Sequence, residues 1–391
     1  MNNQYYQLFN LHKHSIKSGG IGLFCNQVSY DFSERKYLFQ LIAEQTDSLK
    51  VLVPEHGFFA ELQDQEIVDT ISHYKELARS ASFISMYNNS SNRVGNLLKL
   101  LKEMNLLIID IQDVGARYFT YLTTIAETFR IINDLELDIQ VVLLDKPNLA
   151  GRQVEGSRLL RDFKSFIGWE GIPQRYGLTI GELSLFLNDQ MGGNLNLEVI
   201  KYSLVEDNLG IYPSPNIPHP NTPHVYPGQC LLEGTNLSEG RGTTRPFEFF
   251  GAPFLKEFME SWIDDWNLEN PEAILRPLLF EPTFHKYKGE KCWGFQLHPQ
   301  KNYHSLLYSL KLLKAIKEEC IDFSYREGPY EAGSDLTAIE ILAGDDTILS
   351  YLKGEAELKT LINKLSEEEA AWIKLVQPFI LYPEKLYQIR Y

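Results

Sequence analysis

The sequence has few cysteines, and none of them lie close together. Its 391 residues include only four, Cys25, Cys230, Cys292 and Cys320. This spacing contains no CxxC motif, which excludes the common zinc-ribbon and dithiol redox arrangements. A chain of this length buries enough apolar surface to fold without disulfides. We therefore predict four reduced cysteines in the core.

Long apolar runs and an excess of positive charge are also missing. No run of about 18 apolar residues occurs, so the sequence predicts no membrane span. The 37 Lys and Arg against 52 Asp and Glu leave a net charge of −15. Because nucleic-acid binding needs a basic face, a nucleic-acid partner is not expected. The opening "MNNQYYQLFNLHKHSIKSGG" lacks the basic-then-apolar pattern of a secretory signal, which favours a cytoplasmic location.

The usual motifs for metals and nucleotides are absent from the sequence. It contains no HExxH and no GxxxxGK[ST], and "GGIGLF" lacks the last glycine of GxGxxG and precedes its strand. His12 and His14 form the only short histidine pair, whereas His219 and His224 lie five apart in a proline-rich segment that reads as a loop. We predict no catalytic metal and no cofactor.

An alternation of apolar runs and amphipathic stretches is the main positive signal. Runs that are apolar throughout predict strands buried on both faces, at 21–25, 49–53, 82–86, 106–111, 139–144 and 197–202. Helical patterns lie between them, the first with Ser33 as its predicted N-cap. Strand–helix repetition predicts an α/β fold with a doubly wound, Rossmann-like parallel sheet over residues 1–205. The less regular residues 206–391 predict a second, smaller α/β domain.

Polar clusters follow three of the predicted strands. They are Pro54-Glu55-His56-Gly57, then Gln112, Asp113, Gly115 and Arg117 with Asp110 inside the strand, and Asp145-Lys146-Pro147-Asn148. Open parallel sheets bind ligands beyond the carboxyl ends of their strands, so these clusters predict one site. Glu55 is the first candidate for a general acid, beside His56. The alternative for Glu55 is a helix N-cap or an ion pair with a lysine.

The segment "DIQDVGARYFTY", which begins at the end of the predicted strand 106–111, adds further candidates. Gly115 predicts a sharp turn, and Arg117 lies near the start of the next helix, where its charge opposes the helix dipole. A bound carboxylate or a neighbouring aspartate would offset that cost. Tyr118 and Tyr121 are candidates for hydrogen bonding to a ligand or for proton donation. With 21 tyrosines in the chain, simple packing is the alternative for each.

The segment "CLLEGTNLSEGRGTTRPFEFFGAP" (230–253) reads as a long loop that is neither helix nor strand. Loops of this length are uncommon unless they bind or cover something. Glycines flank Arg241, whose guanidinium is suited to gripping a carboxylate with two hydrogen bonds. Asn236, Glu239 and Thr243 add groups of the kind that bind sugar hydroxyls and acetamido groups. A cluster of surface turns is the alternative.

Several motifs together resemble one known family. They are "PEHGF", "DIQDVGAR" with "YFTY", "DKPN", "VEG", "GLTIGEL", "PSPNIP", "YPGQCLLEGTNLSEGRGTT" and "PTFHKYKGE", in this order. The pattern is similar to that of the exo-β-N-acetylmuramidases of the NamZ type, glycoside hydrolase family 171, long known as a domain of unknown function. The resemblance extends from "GLFCNQ" to the "LAG" near residue 343.

The resemblance implies a Rossmann-like domain and a smaller α/β domain that meet at a cleft. It also implies removal of terminal β-1,4-linked N-acetylmuramic acid from the non-reducing ends of peptidoglycan fragments. The implied catalytic group is Glu55, assisted by Tyr118 or Tyr121. His56, its neighbour in the sequence, is a further catalytic candidate. The lactyl carboxylate of muramic acid would find a partner in Arg117 or Arg241. The residues predicted to bind substrate are Asp110, Gln112, Asp113, Arg117, Asn148, Asn236, Glu239, Arg241 and Thr243.

The chain departs from the family pattern in a few places. Phe59-Ala60-Glu61 stands where many relatives have Arg-Gly-Asp, and "RYFTY" replaces "RFYTY". Relatives are often exported. These departures leave open a protein that binds or senses a muropeptide sugar without cleaving it. Hydrolysis of an ester or amide ranks last, since the sequence has no GxSxG elbow and no Cys/His pair.

Overall fold

Two β-sheets organise the structure, a computed structural model that describes residues 1–63, 74, 76–78, 80–86, 93–203, 211–331 and 334–383. The first sheet contains β1 (Ile21–Cys25), β4 (Leu49–Val53), β5 (Ala81–Ser85), β6 (Leu106–Asp110), β7 (Gln140–Leu144) and β8 (Asn196–Ile200). A hairpin of β2 (Tyr30–Asp31) and β3 (Lys36–Tyr37) follows β1. The second sheet contains β9 (Phe249–Ala252), β10 (Ala273–Phe280) and β11 (Cys292–Pro299).

Eleven helices are assigned within the described residues. They are α1 (Asn3–Ser18), α2 (Leu38–Ala43), α3 (Arg93–Leu101), α4 (Thr120–Asp134), α5 (Ile180–Gln190), α6 (Thr222–Gln229), α7 (Lys256–Glu269), α8 (Ser305–Glu319), α9 (Ala338–Ala343), α10 (Asp346–Lys353) and α11 (Leu358–Val376). None of these helices combines the length and the apolar character needed to cross a membrane.

All neighbouring strands of the first sheet are parallel, in the order β5-β4-β1-β6-β7-β8. All six strand predictions are confirmed to within two residues at each end. The chain order reverses between β1 and β6, the position at which doubly wound sheets form their ligand crevice. The predicted α/β fold with a doubly wound parallel sheet is therefore confirmed, and the switch point gives the first indication of where a site would lie.

Burial on both faces explains why these strands are apolar throughout. Phe24, Leu52 and Ile109 pack into the larger hydrophobic core. Leu23, Val51 and Ile108, their neighbours along the same strands, face a second core that α1 covers. Alternate side chains of a strand point to opposite faces, so a strand covered on both sides needs apolar residues at successive positions. The larger core also includes β9, β10 and β11 residues, so the small antiparallel sheet packs into it.

Three local predictions were wrong. Ser33 does not cap α2, which begins after Tyr37; Ser33 instead donates its backbone N–H to Asp31 Oδ1 (2.9 Å) in the β2–β3 turn. The segment 230–253 is not wholly irregular, because it contains a 3₁₀ helix at Cys230–Gly234 and strand β9. His224 lies in helix α6 and not in a loop, with Pro223 in the first turn, where proline is tolerated.

The cysteine prediction is confirmed. All four are free thiols in buried positions.

Candidate functional site

Glu55 lies two residues beyond the end of β4, beside the switch point between β1 and β6. His56 and Gly57 both have positive φ angles, 72° and 80°, which turn the chain sharply away from the sheet. Such a conformation is costly for a residue other than glycine and marks a position that the surrounding structure enforces. Glu55 is half-buried, so its carboxylate is held in a partly desolvated corner.

The start of α4 holds Glu55 in place. Thr120 Oγ1 donates a hydrogen bond to Glu55 Oε2 at 2.6 Å. The neighbouring Tyr121 hydroxyl lies 3.2 Å from the carbonyl oxygen of Glu55 and 3.0 Å from that of Pro213. Thr120 thus contacts the carboxylate of Glu55, and Tyr121 contacts its backbone. Tyr121 also links this turn to the "PSPNIP" segment through Pro213. Sequence reasoning missed Thr120, although it stands between two aromatic residues of a motif already singled out.

The two candidate tyrosines have different surroundings. Only Tyr121 contacts Glu55; the Tyr118 hydroxyl instead donates to the carbonyl of Pro227 at 3.1 Å. Both rings are buried, and burial raises the pKa of each phenol above its ordinary value. Tyr121 is therefore a neutral hydroxyl beside Glu55, and its assisting role stays a prediction.

His56 connects the Glu55 turn with the segment around Arg241. Its Nδ1 lies 3.2 Å from the carbonyl oxygen of Leu62. Burial, reinforced by the positive charge of Arg241, lowers the pKa of His56 from 6.5 to about 3. His56 is thus a neutral imidazole at ordinary pH. The positive charge of Arg241, 185 residues later in the sequence, thus acts on His56.

Two buried glutamates hold the guanidinium of Arg241. Its Nη2 donates to Glu233 Oε1 at 2.7 Å, and its Nε lies 3.2 Å from Glu239 Oε1. The guanidinium carbon also lies 5.4 Å from the ring centroid of Phe247. Gly240 and Gly242 have φ angles of 77° and 78°, a region that glycine enters without strain. The glycines that flank Arg241 therefore shape the turn that presents it.

Glu239 is the centre of a larger ionic cluster. Besides Arg241, it contacts His285 Nδ1 at 2.9 Å and Lys286 Nζ at 3.0 Å. Burial alone would raise the pKa of Glu239, but Lys286, His285 and Arg241 outweigh burial and lower it. Glu239 is consequently an anion paired with cations from two different segments of the chain.

The other two predicted residues of this loop are engaged in local contacts. Thr243 Oγ1 donates to the carbonyl of Gly240 at 2.6 Å. The Asn236 side chain donates to the carbonyl of Asp322 at 2.7 Å and accepts the N–H of Ser324 at 3.0 Å. These contacts stabilise the loop, and their predicted role in sugar binding stays a prediction.

Asp110 and Gln112 lie buried at the end of β6. Lys146 Nζ lies 2.6 Å from Asp110 Oδ1, and the Tyr5 hydroxyl of α1 donates to Asp110 Oδ2 at 2.6 Å. Gln112 Nε2 donates to the carbonyls of Asp113 and Pro147, both at 2.8 Å. The polar ends of β6 and β7 are thereby joined, as the sequence predicted for clusters at one edge of the sheet.

Asp113 is buried beside the same junction. Its Oδ1 accepts the N–H of Gly115 at 2.7 Å and the hydroxyl of Tyr176. Burial raises the pKa of Asp113 from 3.8 to about 6, against the opposing effect of these hydrogen bonds. The predicted sharp turn at Gly115 is confirmed by its φ of 93°, and a Cβ there would collide with the side chain of Asn148. Asn148 itself donates to the carbonyl of Leu178 at 2.7 Å.

Arg117 is not brought to Glu55. It is fully buried, and its terminal nitrogens donate four hydrogen bonds of 2.9–3.2 Å, to the carbonyls of Ser157, Ile172, Leu342 and Ala343. Burial lowers the pKa of Arg117 to about 10, which leaves it charged near neutral pH. The charge that opposes the α4 dipole is thus offset by backbone carbonyls.

Comparisons with known proteins agree over nearly the whole chain. The family model "Exo-beta-N-acetylmuramidase NamZ, N-terminal" matches residues 21–223, and the corresponding C-terminal model matches residues 224–382. The chain is 30% identical over 385 residues to the peptidoglycan beta-N-acetylmuramidase NamZ of Bacillus subtilis (strain 168), covering 95% of this chain and 89% of that protein.

Two solved structures share the fold. Both are DUF1343 family proteins from Bacteroides fragilis NCTC 9343. The first has a TM-score of 0.78 and 24% identity, covering 97% of this chain and 98% of that one. The second has a TM-score of 0.66 and 23% identity, with coverage of 96% and 97%. With both family models matched in order along one α/β chain, the protein belongs to the exo-β-N-acetylmuramidase NamZ family.

Proposed function

We propose that this protein is an exo-acting glycosidase that removes terminal β-1,4-linked N-acetylmuramic acid from the non-reducing ends of peptidoglycan fragments. Its family membership and its similarity to the Bacillus subtilis β-N-acetylmuramidase support this proposal. The observation that carries it is the position of Glu55, at the switch point of the sheet with its carboxylate held by Thr120.

In this proposal Glu55 supplies or accepts the proton at the glycosidic oxygen. Glycoside hydrolysis passes through an oxocarbenium-like transition state, so a correctly placed carboxyl group contributes directly to the rate. The 2-acetamido group of the sugar is suited to assist departure of the leaving group. Tyr121 positions the backbone of Glu55, and neutral His56 forms the wall of the site beside it.

Arg241 is the proposed partner of the lactyl carboxylate. It carries a charge that is felt at His56, next to Glu55, whereas the terminal nitrogens of Arg117 are occupied by backbone carbonyls. An acidic sugar has to approach a protein of net charge −15. Lys286, which contacts Glu239 together with Arg241, would add a second positive charge at this locality.

The division of labour between two domains is also part of the proposal. Residues 1–205 would carry Glu55, and residues 206–391 would contribute Arg241 and complete the cleft. The cytoplasmic location predicted from the sequence stays a prediction, which fractionation of the producing cells would test.

A chromogenic β-N-acetylmuramic acid glycoside tests the activity. We expect release from this compound by the wild-type protein, much weaker release from the β-N-acetylglucosamine analogue, and at least a thousandfold loss in Glu55→Gln, of the order seen on losing a proton-transfer residue. Melting temperature and sugar binding should be retained in this isosteric variant. Binding of the muramic sugar without any release by the wild type would instead identify a sensing protein.

A further inference from the structure

The hydroxyl of Thr120 points away from its own helix. Threonines inside helices commonly donate to the carbonyl four residues earlier, as Thr124 does to Thr120 O (3.0 Å) and Thr128 does to Thr124 O (2.7 Å). Thr120 is the first residue of α4, so no helical carbonyl lies four residues before it. Its hydroxyl therefore reaches out of the helix, to Glu55 Oε2.

This contact has the character of a charge-assisted hydrogen bond. The oxygen–oxygen distance of 2.6 Å is within the short range of hydroxyl–carboxylate pairs. Thr120 is buried, with 6% of its surface exposed, so water does not compete freely for the hydroxyl. Because Thr120 is β-branched and lies in a helix, it has few side-chain conformations available, and the bond has a defined direction.

We propose that Thr120 is a positioning residue for catalysis: its hydroxyl fixes the plane of the Glu55 carboxyl group. The same hydrogen bond stabilises the ionised carboxylate after the proton has left. This inference rests on the proposed role of Glu55, and it adds a residue that directs that role.

Other titratable groups lie around this corner. They are His56, Glu61, Asp113, Tyr121 and Arg241. His56 stays neutral above about pH 3, and burial keeps Tyr121 protonated. Burial raises the pKa of Asp113 to about 6. Thr120 does not contact Asp113 in the described hydrogen bonds, so Thr120→Val is not expected to move any limb to which Asp113 contributes.

The test compares Thr120→Val with Thr120→Ser, measuring kcat and KM against pH on the chromogenic muramic substrate. Valine keeps the shape and loses the donor. We expect Thr120→Val to lower kcat at least about tenfold, the usual range for a hydrogen bond to a charged group, with KM changed less than about twofold. The limb governed by Glu55 should move up by about one pH unit, since one unit corresponds to a tenfold change in equilibrium. Thr120→Ser should recover most of the rate and the original limb.

Thr128→Val is the matched control. It removes a buried hydroxyl from the same helix two turns away, and we expect kcat and the pH profile to remain within about twofold of the wild type. If Thr120→Val folds too poorly to assay, Thr120→Ala against Thr120→Ser makes the same comparison.

Two outcomes would overturn the inference about Thr120, and a third would overturn the proposed function as well. A Thr120→Val enzyme with wild-type kcat, or one that loses rate and melting temperature together with no movement of the limb, removes the positioning role. In both cases, loss of activity in Glu55→Gln would still support the proposed function. An active Glu55→Gln would instead overturn the proposed function itself, whatever Thr120→Val shows.

Discussion

Residues 113–117 and residues 230–253 bury charges in opposite ways. In the first segment, Arg117 is surrounded by backbone carbonyls, and Asp113 accepts hydrogen bonds from an N–H and a phenol. In the second, Arg241 and Glu239 pair with each other and with further ions. The pKa of Asp113 is accordingly raised, and that of Glu239 is lowered.

The difference separates two uses of an arginine. Held by neutral dipoles, Arg117 joins backbone segments that are distant in sequence and acts as a structural clamp. Arg241 is also buried, but carboxylates hold it, and its charge acts on His56 beside Glu55. The same residue type in two motifs thus contributes to stability in one case and, in our proposal, to recognition in the other.

The largest expected effect is the loss of stability in Arg117→Met. This change leaves four buried carbonyls without their donor, and we expect the free energy of unfolding to fall by roughly 4 kcal/mol or more. Urea denaturation measures it, with Arg130→Met, at the half-buried contact with Trp169, as a control that costs less than about 1 kcal/mol. A stable Arg117→Met protein with a raised KM for the muramic substrate would place Arg117 in recognition after all.

Asp113→Asn should change the pH dependence of stability. Because the folded-state pKa is raised from 3.8 to about 6, the folded protein binds more protons than the unfolded chain in this window, and wild-type stability falls as the pH rises. The isosteric amide removes this fall. Relative to pH 4, we expect the variant to gain on the order of 2–3 kcal/mol over the wild type by pH 7.

Glu239→Gln should change the pH dependence of stability in the opposite direction. A lowered pKa stabilises the folded state above the unfolded-state pKa of about 4.5, and the contribution is lost as the pH falls. Denaturation of both variants between pH 3 and 8 compares the two segments directly. If the free energy of unfolding of the two variants, relative to the wild type, changed with pH in the same direction, the proposed difference between the two segments would be wrong.

Arg241→Met should change recognition more than folding. Glu233 would keep its hydrogen bond from Tyr330, and Glu239 would keep Lys286 and His285, so the protein should remain folded. With a chromogenic muramic substrate and its lactyl amide, we expect the preference of the wild type for the free acid to fall by about 30-fold or more. Arg241→Lys should fall between the two, since lysine keeps the charge without the planar fork. An unchanged preference would exclude Arg241 as the carboxylate partner.

The smallest effect belongs to Asn236→Ala, in the same loop as Arg241. Its side chain bonds the backbone at Asp322 and Ser324, so we expect a loss of about 1 kcal/mol in the free energy of unfolding. The KM for the muramic substrate should stay within about twofold. A selective rise in KM at constant stability would show instead that Asn236 contacts the sugar.

Much of the fold was predictable because the signals that define it are local. Six buried strands produce six apolar runs, whatever lies on either side of them. The Ser33 prediction was based on the local preference of serine for helix N-caps. It failed because Ser33 bonds the Asp31 carboxylate in the turn instead. Strand β9 was missed because "FFGA" becomes a strand only by pairing with β11, more than 40 residues later.

Four features follow from the sequence alone: the doubly wound sheet, the polar clusters at its edge, Glu55 as the leading carboxylate and the family resemblance. Which side chains contact each other depends on the tertiary fold. Thr120 reaches Glu55 across 65 residues of chain, and the partners of Arg117 lie 40 to 226 residues away. A hydrogen bond requires a donor and an acceptor within about 3 Å, and the fold alone sets that distance for residues so far apart in sequence.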